Sequence, residues 1–149
     1  RLVRWIYSRH RQSNRRIHSW LMVLPASMRL RGHRCFSRLH RSQRRHHGKW
    51  MVLRQIQSDR TLLRSELRSQ RDTTCRCALV ISNKVSKRAV RRNRLRRLLH
   101  NHLRQRLEQR TDLAGWWLLF SLRPNAAEAE PAQLLEECDS LLKIAGLER

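Results

Sequence analysis

Arg88, Arg91, Arg92, Arg94, Arg96 and Arg97 crowd around a single Asn93, and guanidinium groups at that density suit one kind of chemistry. They bind oxyanions bidentately, and their planar faces stack on bases. In an isolated helix such like charges repel at i,i+4. The run makes sense if a polyanion lies across it. Lys84 and Lys87 extend it upstream, into a strand-to-helix connection whose free backbone N–H groups also favour phosphate.

Hydrolytic chemistry is much harder to find. A self-sufficient nuclease needs convergent carboxylates for a metal, or a histidine pair with a cation. Before Arg123 the acids are Asp59, Glu66, Asp72, Glu108 and Asp112, and four of them fall in expected loops or at an element end. His100 and His102 lie near Arg104 but face different ways on a helix. Glu136, Glu137 and Asp139 read most simply as the solvent face of a C-terminal helix. Cys35, Cys75, Cys77 and Cys138 lack zinc spacing, since C-x-C places two thiols on one side of a strand. His46–His47 with Cys75 and Cys77 is the one tempting metal set. Buried thiols and RNA-facing imidazoles are the simpler reading. Neither a catalytic nor a metal site is expected on the protein.

The 149 residues suffice for one compact domain plus a tail. A net charge of +23 and a pI near 11.9 speak of partners rather than fold, and nucleic acid is the first reading. Residues 124–149 hold only Lys143 and Arg149 against Glu128, Glu130, Glu136, Glu137, Asp139 and Glu148, so the positive excess lies before them. Nothing resembles a secretory signal and no stretch is long enough to span a bilayer, which makes a reducing cytoplasm the expectation, with no membrane. Residues 1–21 are basic and aperiodic. They read as a disordered extension or an over-extended reading frame, leaving 22–149 as a single domain.

These chemical groups need a scaffold. Phe36, Leu39 and His40 at i, i+3 and i+4 predict a short helix over 33–41. KWMVLRQI at 49–56 predicts a strand, and residues 57–74 a polar connection in which Leu62, Leu63 and Leu67 could make a helical turn. CRCALVIS at 75–82 is the clearest strand, with Cys75, Cys77, Leu79 and Ile81 on one face and Arg76, Ala78, Val80 and Ser82 on the other. A helix follows over about 87–109, capped by Ser86. WWLLFSL at 116–122 predicts another strand, stopped by Arg123-Pro124. The last helix, 131–145, opens on Pro131 and buries Leu134, Leu135, Cys138, Leu141 and Leu142. The order helix-strand-strand-helix-strand-helix implies an α/β (α+β) sandwich, with one small mixed sheet of about four strands packed by helices.

Leu95, Leu98, Leu99, His102, Leu103 and Leu107 line the buried side of the arginine helix. Arg92 projects with Leu95, Leu99 and Leu103, whereas Asn93, Arg97 and Arg104 project opposite. Arg92 must therefore leave the sheet beyond its rim or enter a groove beside it.

AVRRNRLRRLL at 89–99, preceded by ISNKVSK at 81–87, resembles the signature of the protein subunit of bacterial ribonuclease P. The flanks agree in order: LPASMRL, a helix centred on Phe36, a strand around Trp50–Leu53, and a strand ending in Arg123-Pro124. The resemblance implies a left-handed crossover between parallel strands. It implies that Lys84, Lys87, Arg88, Arg91, Arg92, Asn93, Arg94, Arg96 and Arg97 bind the catalytic RNA subunit. It further implies a cleft for the 5′ leader of precursor tRNA, with Phe36, Trp50, Arg54 and Ser82 as its residues here. The RNA subunit, with Mg²⁺ bound mainly to it, would cleave the phosphodiester, and no obligate protein partner is expected. His40, Arg54 and Gln43 depart from residues usual in the family, Arg54 standing where a strand aromatic often sits. A structural or ribosomal RNA-binding protein is the competing reading. A DNA-binding protein is disfavoured, because the arginine helix follows a buried strand and no helix-turn-helix pair precedes it.

Overall fold

The structure is a computed structural model that describes residues 24–30, 33–57 and 75–147. The expectations for residues 1–21 and for a helical turn at Leu62–Leu67 lie outside the described residues.

Helix α1 spans His33–Arg41, and strands β1, β2 and β3 span Arg45–His47, Met51–Gln57 and Arg76–Val80. Helix α2 covers Ala89–Leu107, strand β4 Trp116–Leu122, and helix α3 Pro131–Ile144. The strands form one mixed sheet in the order β1-β2-β4-β3. β1 and β4 flank β2 antiparallel, while β3 lies parallel to β4 across the α2 connection. The expected α/β sandwich is present, with one strand more than the expected order contained. That strand, β1, is Arg45-His46-His47 and carries no apolar residue. It exists because its backbone pairs with Val52–Arg54.

The sheet is buried on both faces by different partners. Met51, Leu53, Cys77, Leu118, Phe120 and Leu122 pack beneath Leu99, Leu103 and Leu107 of α2 and Leu134, Cys138, Leu141 and Leu142 of α3. On the opposite face Ala78, Trp117 and Leu119 pack with Leu30 and with Leu39 of α1. The alternation expected for residues 75–82 follows from this arrangement, Cys75, Cys77 and Ile81 facing one core while Ala78 faces the other.

α3 starts where Pro131 supplies a fixed φ and the Glu130 and Gln133 side chains form a capping box. It ends at Gly146, whose φ of 75° permits the closing bonds from Gly146 N–H to Lys143 O and from Leu147 N–H to Leu142 O. Glu137 and Asp139 of α3 are not on a solvent face, contrary to expectation. The Glu137 carboxylate accepts the backbone N–H groups of Lys49 and of Trp50 (2.8 Å for the latter) in the β1–β2 turn. Asp139 accepts from Arg106 at 3.0 Å and lies 2.7 Å from His102 Nε2, tying α3 to α2. These carboxylates satisfy donors distant in sequence, which no local pattern reveals.

Candidate nucleic-acid interface

α2 is held by one end. Its buried residues, Leu99, Leu103, Arg104 and Leu107, all lie in the C-terminal half. At the other end Ala89, Val90, Arg91, Asn93 and Arg94 are exposed, as are Lys84, Lys87 and Arg88 before them. The overhang is anchored by Val85, buried in the α2/α3-side core, and by a turn closed from Val85 N–H to Ser82 O at 3.1 Å. Ser86 does not cap the helix as expected. Its hydroxyl accepts the N–H of Arg88 at 3.3 Å, and Arg88 occupies the cap position without a side-chain bond.

The first turn of α2 has no acidic residue. Cations there oppose the helix dipole, at about 0.3–1 kcal/mol each, so an anion bound at this end removes a standing penalty. The arginines differ in how they are held. Arg92 folds back to donate to Ser86 O at 2.8 Å, in the connection beyond the end of β3. Arg96 donates to Asn93 Oδ1 at 3.0 Å, while Arg91 and Arg94 stand exposed. Arg104 is not on the outer side as expected; it is buried beside Leu103 and Leu107 and pairs with Glu108 at 3.1 Å.

A second basic surface lies on the α1 side of the sheet. Antiparallel register puts Arg45 opposite Arg54 and His47 opposite Val52, and Val52 opposite Ser121 of β4, all on one face. The apolar cluster under α1 takes in Ile56, Trp117, Leu119, Ala78 and Val80 but not Val52 or Ser121. Half-buried Phe36 flanks it, and the Arg38 guanidinium lies 5.8 Å over Trp117. Arg54 donates to Ser121 Oγ at 3.3 Å. Burial, reinforced by Arg45, pulls the Arg54 pKa below its ordinary value. Two residues beyond the Val80–Ser121 pair come Ser82, exposed, and Arg123, whose Nη2 meets His47 Nδ1 at 3.0 Å.

The expected cleft set is thus divided. Phe36 and Arg54 belong to the α1 side, and Ser82 sits in the turn next to Lys84. Trp50 does not join them, because it packs against the α2/α3-side core with Lys49 Nζ 4.5 Å over its ring. It precedes β2, so strand alternation does not govern its direction. His40 is exposed rather than on the buried face of α1. Arg45 and Arg123 were not singled out from the sequence as binding residues, and His47 only as an RNA-facing imidazole with no place in the cleft. Only the register against β2 could have drawn them together.

The tempting metal set does not assemble. β1, with His46 and His47, and β3, which contains Cys77 and follows Cys75, are opposite edges of the sheet, about 14 Å apart by strand spacing. Cys75 and Cys77 lie 4.0 Å apart, sulfur to sulfur, as buried thiols. The bond to Cys75 and burial raise Cys77 well above the ordinary thiol range. Among the described residues no group of three or more His, Cys, Asp or Glu is placed to hold a metal.

The family model described as Ribonuclease P matches residues 24–146. A ribonuclease P protein component from a Synechococcus species is 96% identical over 128 residues, covering 86% of this chain and all of the relative. One from Parasynechococcus marenigrum is 75% identical, covering 85% of this chain and 98% of the relative. Among solved structures, the RNase P protein of Staphylococcus aureus superposes with a TM-score of 0.64 at 16% identity, over 82% of this chain and 98% of that one. The Thermotoga maritima protein gives 0.57 at 19% identity, over 77% and 94%. At those identities the likeness shows the fold.

Proposed function

Because the chain belongs to the ribonuclease P protein family, it is a component of a tRNA-processing endoribonuclease with an RNA partner, and we propose how its surfaces divide that work. The overhanging start of α2, with Lys84, Lys87, Arg88, Arg91, Arg92, Asn93, Arg94, Arg96 and Arg97, binds the RNA subunit. The α1-side face of the sheet, with Phe36 and Arg54, receives the single-stranded 5′ leader of precursor tRNA, and Ser82 lies where the two surfaces meet. The observation that carries this reading is the separation of the two basic surfaces by the β3–α2 turn. One is a protruding helix end suited to folded RNA; the other is a sheet face with an aromatic side chain, suited to a strand with accessible bases.

Hydrolysis belongs to the RNA subunit, and Mg²⁺ is held mainly there, since the described carboxylates are engaged in or scattered over the fold. The protein's part is to hold the leader and to lower repulsion between two RNAs so that metal binds more readily. Residues 22–149 are the working domain, and residues 1–21 are an extension it does not need. The site of action is the cytoplasm; no helix among the described residues is long and apolar enough to cross a membrane.

The leader assignment is tested by measuring holoenzyme affinity for precursor tRNA and for the same tRNA without its leader. Tighter binding of the leader-bearing form, lost when the protein is omitted, is expected. Equal binding of both forms would refute it.

A further inference from the structure

The rung His47–Val52–Ser121 on the α1-side face has an unusual electrostatic surrounding. Arg54 approaches it along β2 and reaches Ser121 Oγ at 3.3 Å. Arg123 approaches from the far end of β4 and meets His47 Nδ1 at 3.0 Å. Neither bond goes to a carboxylate. The Nε atoms of Arg54 and of Arg123 are each closed off from solvent without an acceptor. Among the described residues no carboxylate pairs with Arg54, Arg123 or Arg45.

Unfilled, this arrangement is unfavourable twice over. A buried donor without an acceptor costs about 1–3 kcal/mol, and more when the group is charged. Arg45 and Arg54, directly opposed across β1 and β2, repel as well. Buried polar groups left this way call for a missing partner. Water at the outer guanidinium nitrogens would leave the charge uncompensated. An oxyanion drawn to those nitrogens compensates it, and a guanidinium turned outward to meet the anion also brings its Nε to an acceptor. Serine and imidazole on the same rung offer further donors to it.

We propose that the His47–Ser121 rung, bracketed by Arg54 and Arg123, is a seat for one backbone phosphate of the leader. The proposal rests on the reading of this face as the leader path. It adds that recognition here is of phosphate, through two arginines acting together. Where an arginine replaces a stacking side chain, recognition at that nucleotide becomes indifferent to base and sensitive to salt.

The test uses the reconstituted holoenzyme and precursor tRNAs whose leaders carry a single neutral methylphosphonate, moved one position at a time. With the unsubstituted protein, one position is expected to lose about tenfold in affinity and its neighbours far less. In Arg54→Gln or Arg123→Gln holoenzyme, overall affinity falls, and the same methylphosphonate then costs less than about twofold, because its partner is already gone. Arg123→Gln, at the strand end, guards against a folding defect in Arg54→Gln, and circular dichroism checks both. Losses that multiply independently at every position would overturn the seat. So would variants that lose equally on leaderless tRNA, which would assign the rung to another phosphate. If the unsubstituted holoenzyme does not distinguish leader-bearing from leaderless tRNA, the leader reading falls, and the seat with it.

Discussion

Phe36 and Trp50 lie on opposite sides of the same sheet, Phe36 against the α1-side cluster and Trp50 against the core beneath α2 and α3. Only Phe36 borders the basic face. Phe36→Ala should therefore weaken holoenzyme affinity for leader-bearing tRNA by about 1–3 kcal/mol, the range of a base stacked on an aromatic ring. Binding of leaderless tRNA should change little. Trp50→Ala should lower the urea midpoint without a leader-specific loss. The reverse pattern would return Trp50 to the cleft.

Arg91 and Arg94 are the exposed arginines of the α2 overhang, whereas Arg92 is bonded to Ser86 O. Replacing Arg91 or Arg94 with Ala should weaken RNA-subunit binding and lower the slope of log K against log salt by about 0.7–0.9 for each phosphate no longer neutralised. Arg92→Ala should in addition loosen the turn before the helix, seen as faster amide exchange at Val85–Arg88. Unchanged slopes for Arg91 and Arg94 would show that neither meets a phosphate.

Glu137 holds the β1–β2 turn through the N–H groups of Lys49 and Trp50. A Cβ built on Gly48 would stand 2.6 Å from Glu137 Cδ, so the turn has room for glycine only while the carboxylate stays in place. Glu137→Ala should cost about 1.5–3 kcal/mol of stability. Gly48→Ala should cost less in the Glu137→Ala background than alone, because the clash is then removed. Equal Gly48→Ala costs in both backgrounds, measured by urea unfolding, would contradict the clamp.

Burial, with help from Arg96 and Arg29, depresses the His100 pKa from 6.5 to about 4. The unfolded chain therefore binds a proton that the folded chain refuses between those values. Stability from this group is complete above pH 6.5 and falls as the pH drops toward 4, by about 1–3 kcal/mol. His100→Gln should flatten that part of the urea-midpoint profile. A profile unchanged by the substitution would mean that His100 titrates normally.

How much of this was legible in the sequence follows from where each signal lies. The parity of residues 75–82 shows directly because β3, although an edge strand, is packed on both faces, with Cys77 toward one core and Ala78 toward the other. Pro131 marks the start of α3 as plainly. Arg45-His46-His47 gives no such sign, since hydrogen bonds to β2 alone make it a strand, and with it Arg45 and the position of His47 beside Arg123 stayed hidden. Trp50 misled because one turn residue before a strand is free of the strand's alternation. Glu137 and Asp139 misled for another reason: a carboxylate on a helix looks solvated until its partner, 87 residues away for Glu137 and Trp50, is known. The arginine cluster was legible as an anion-binding element because its meaning is electrostatic and local; its division into exposed and tied guanidiniums was not.

The most direct measurement is leader cleavage at low Mg²⁺ by a bacterial ribonuclease P RNA, with and without this chain. The account predicts that the chain accelerates removal of the 5′ leader, that residues 22–149 alone suffice, and that the chain without the RNA cleaves nothing. No acceleration, or cleavage by the protein alone, would contradict it.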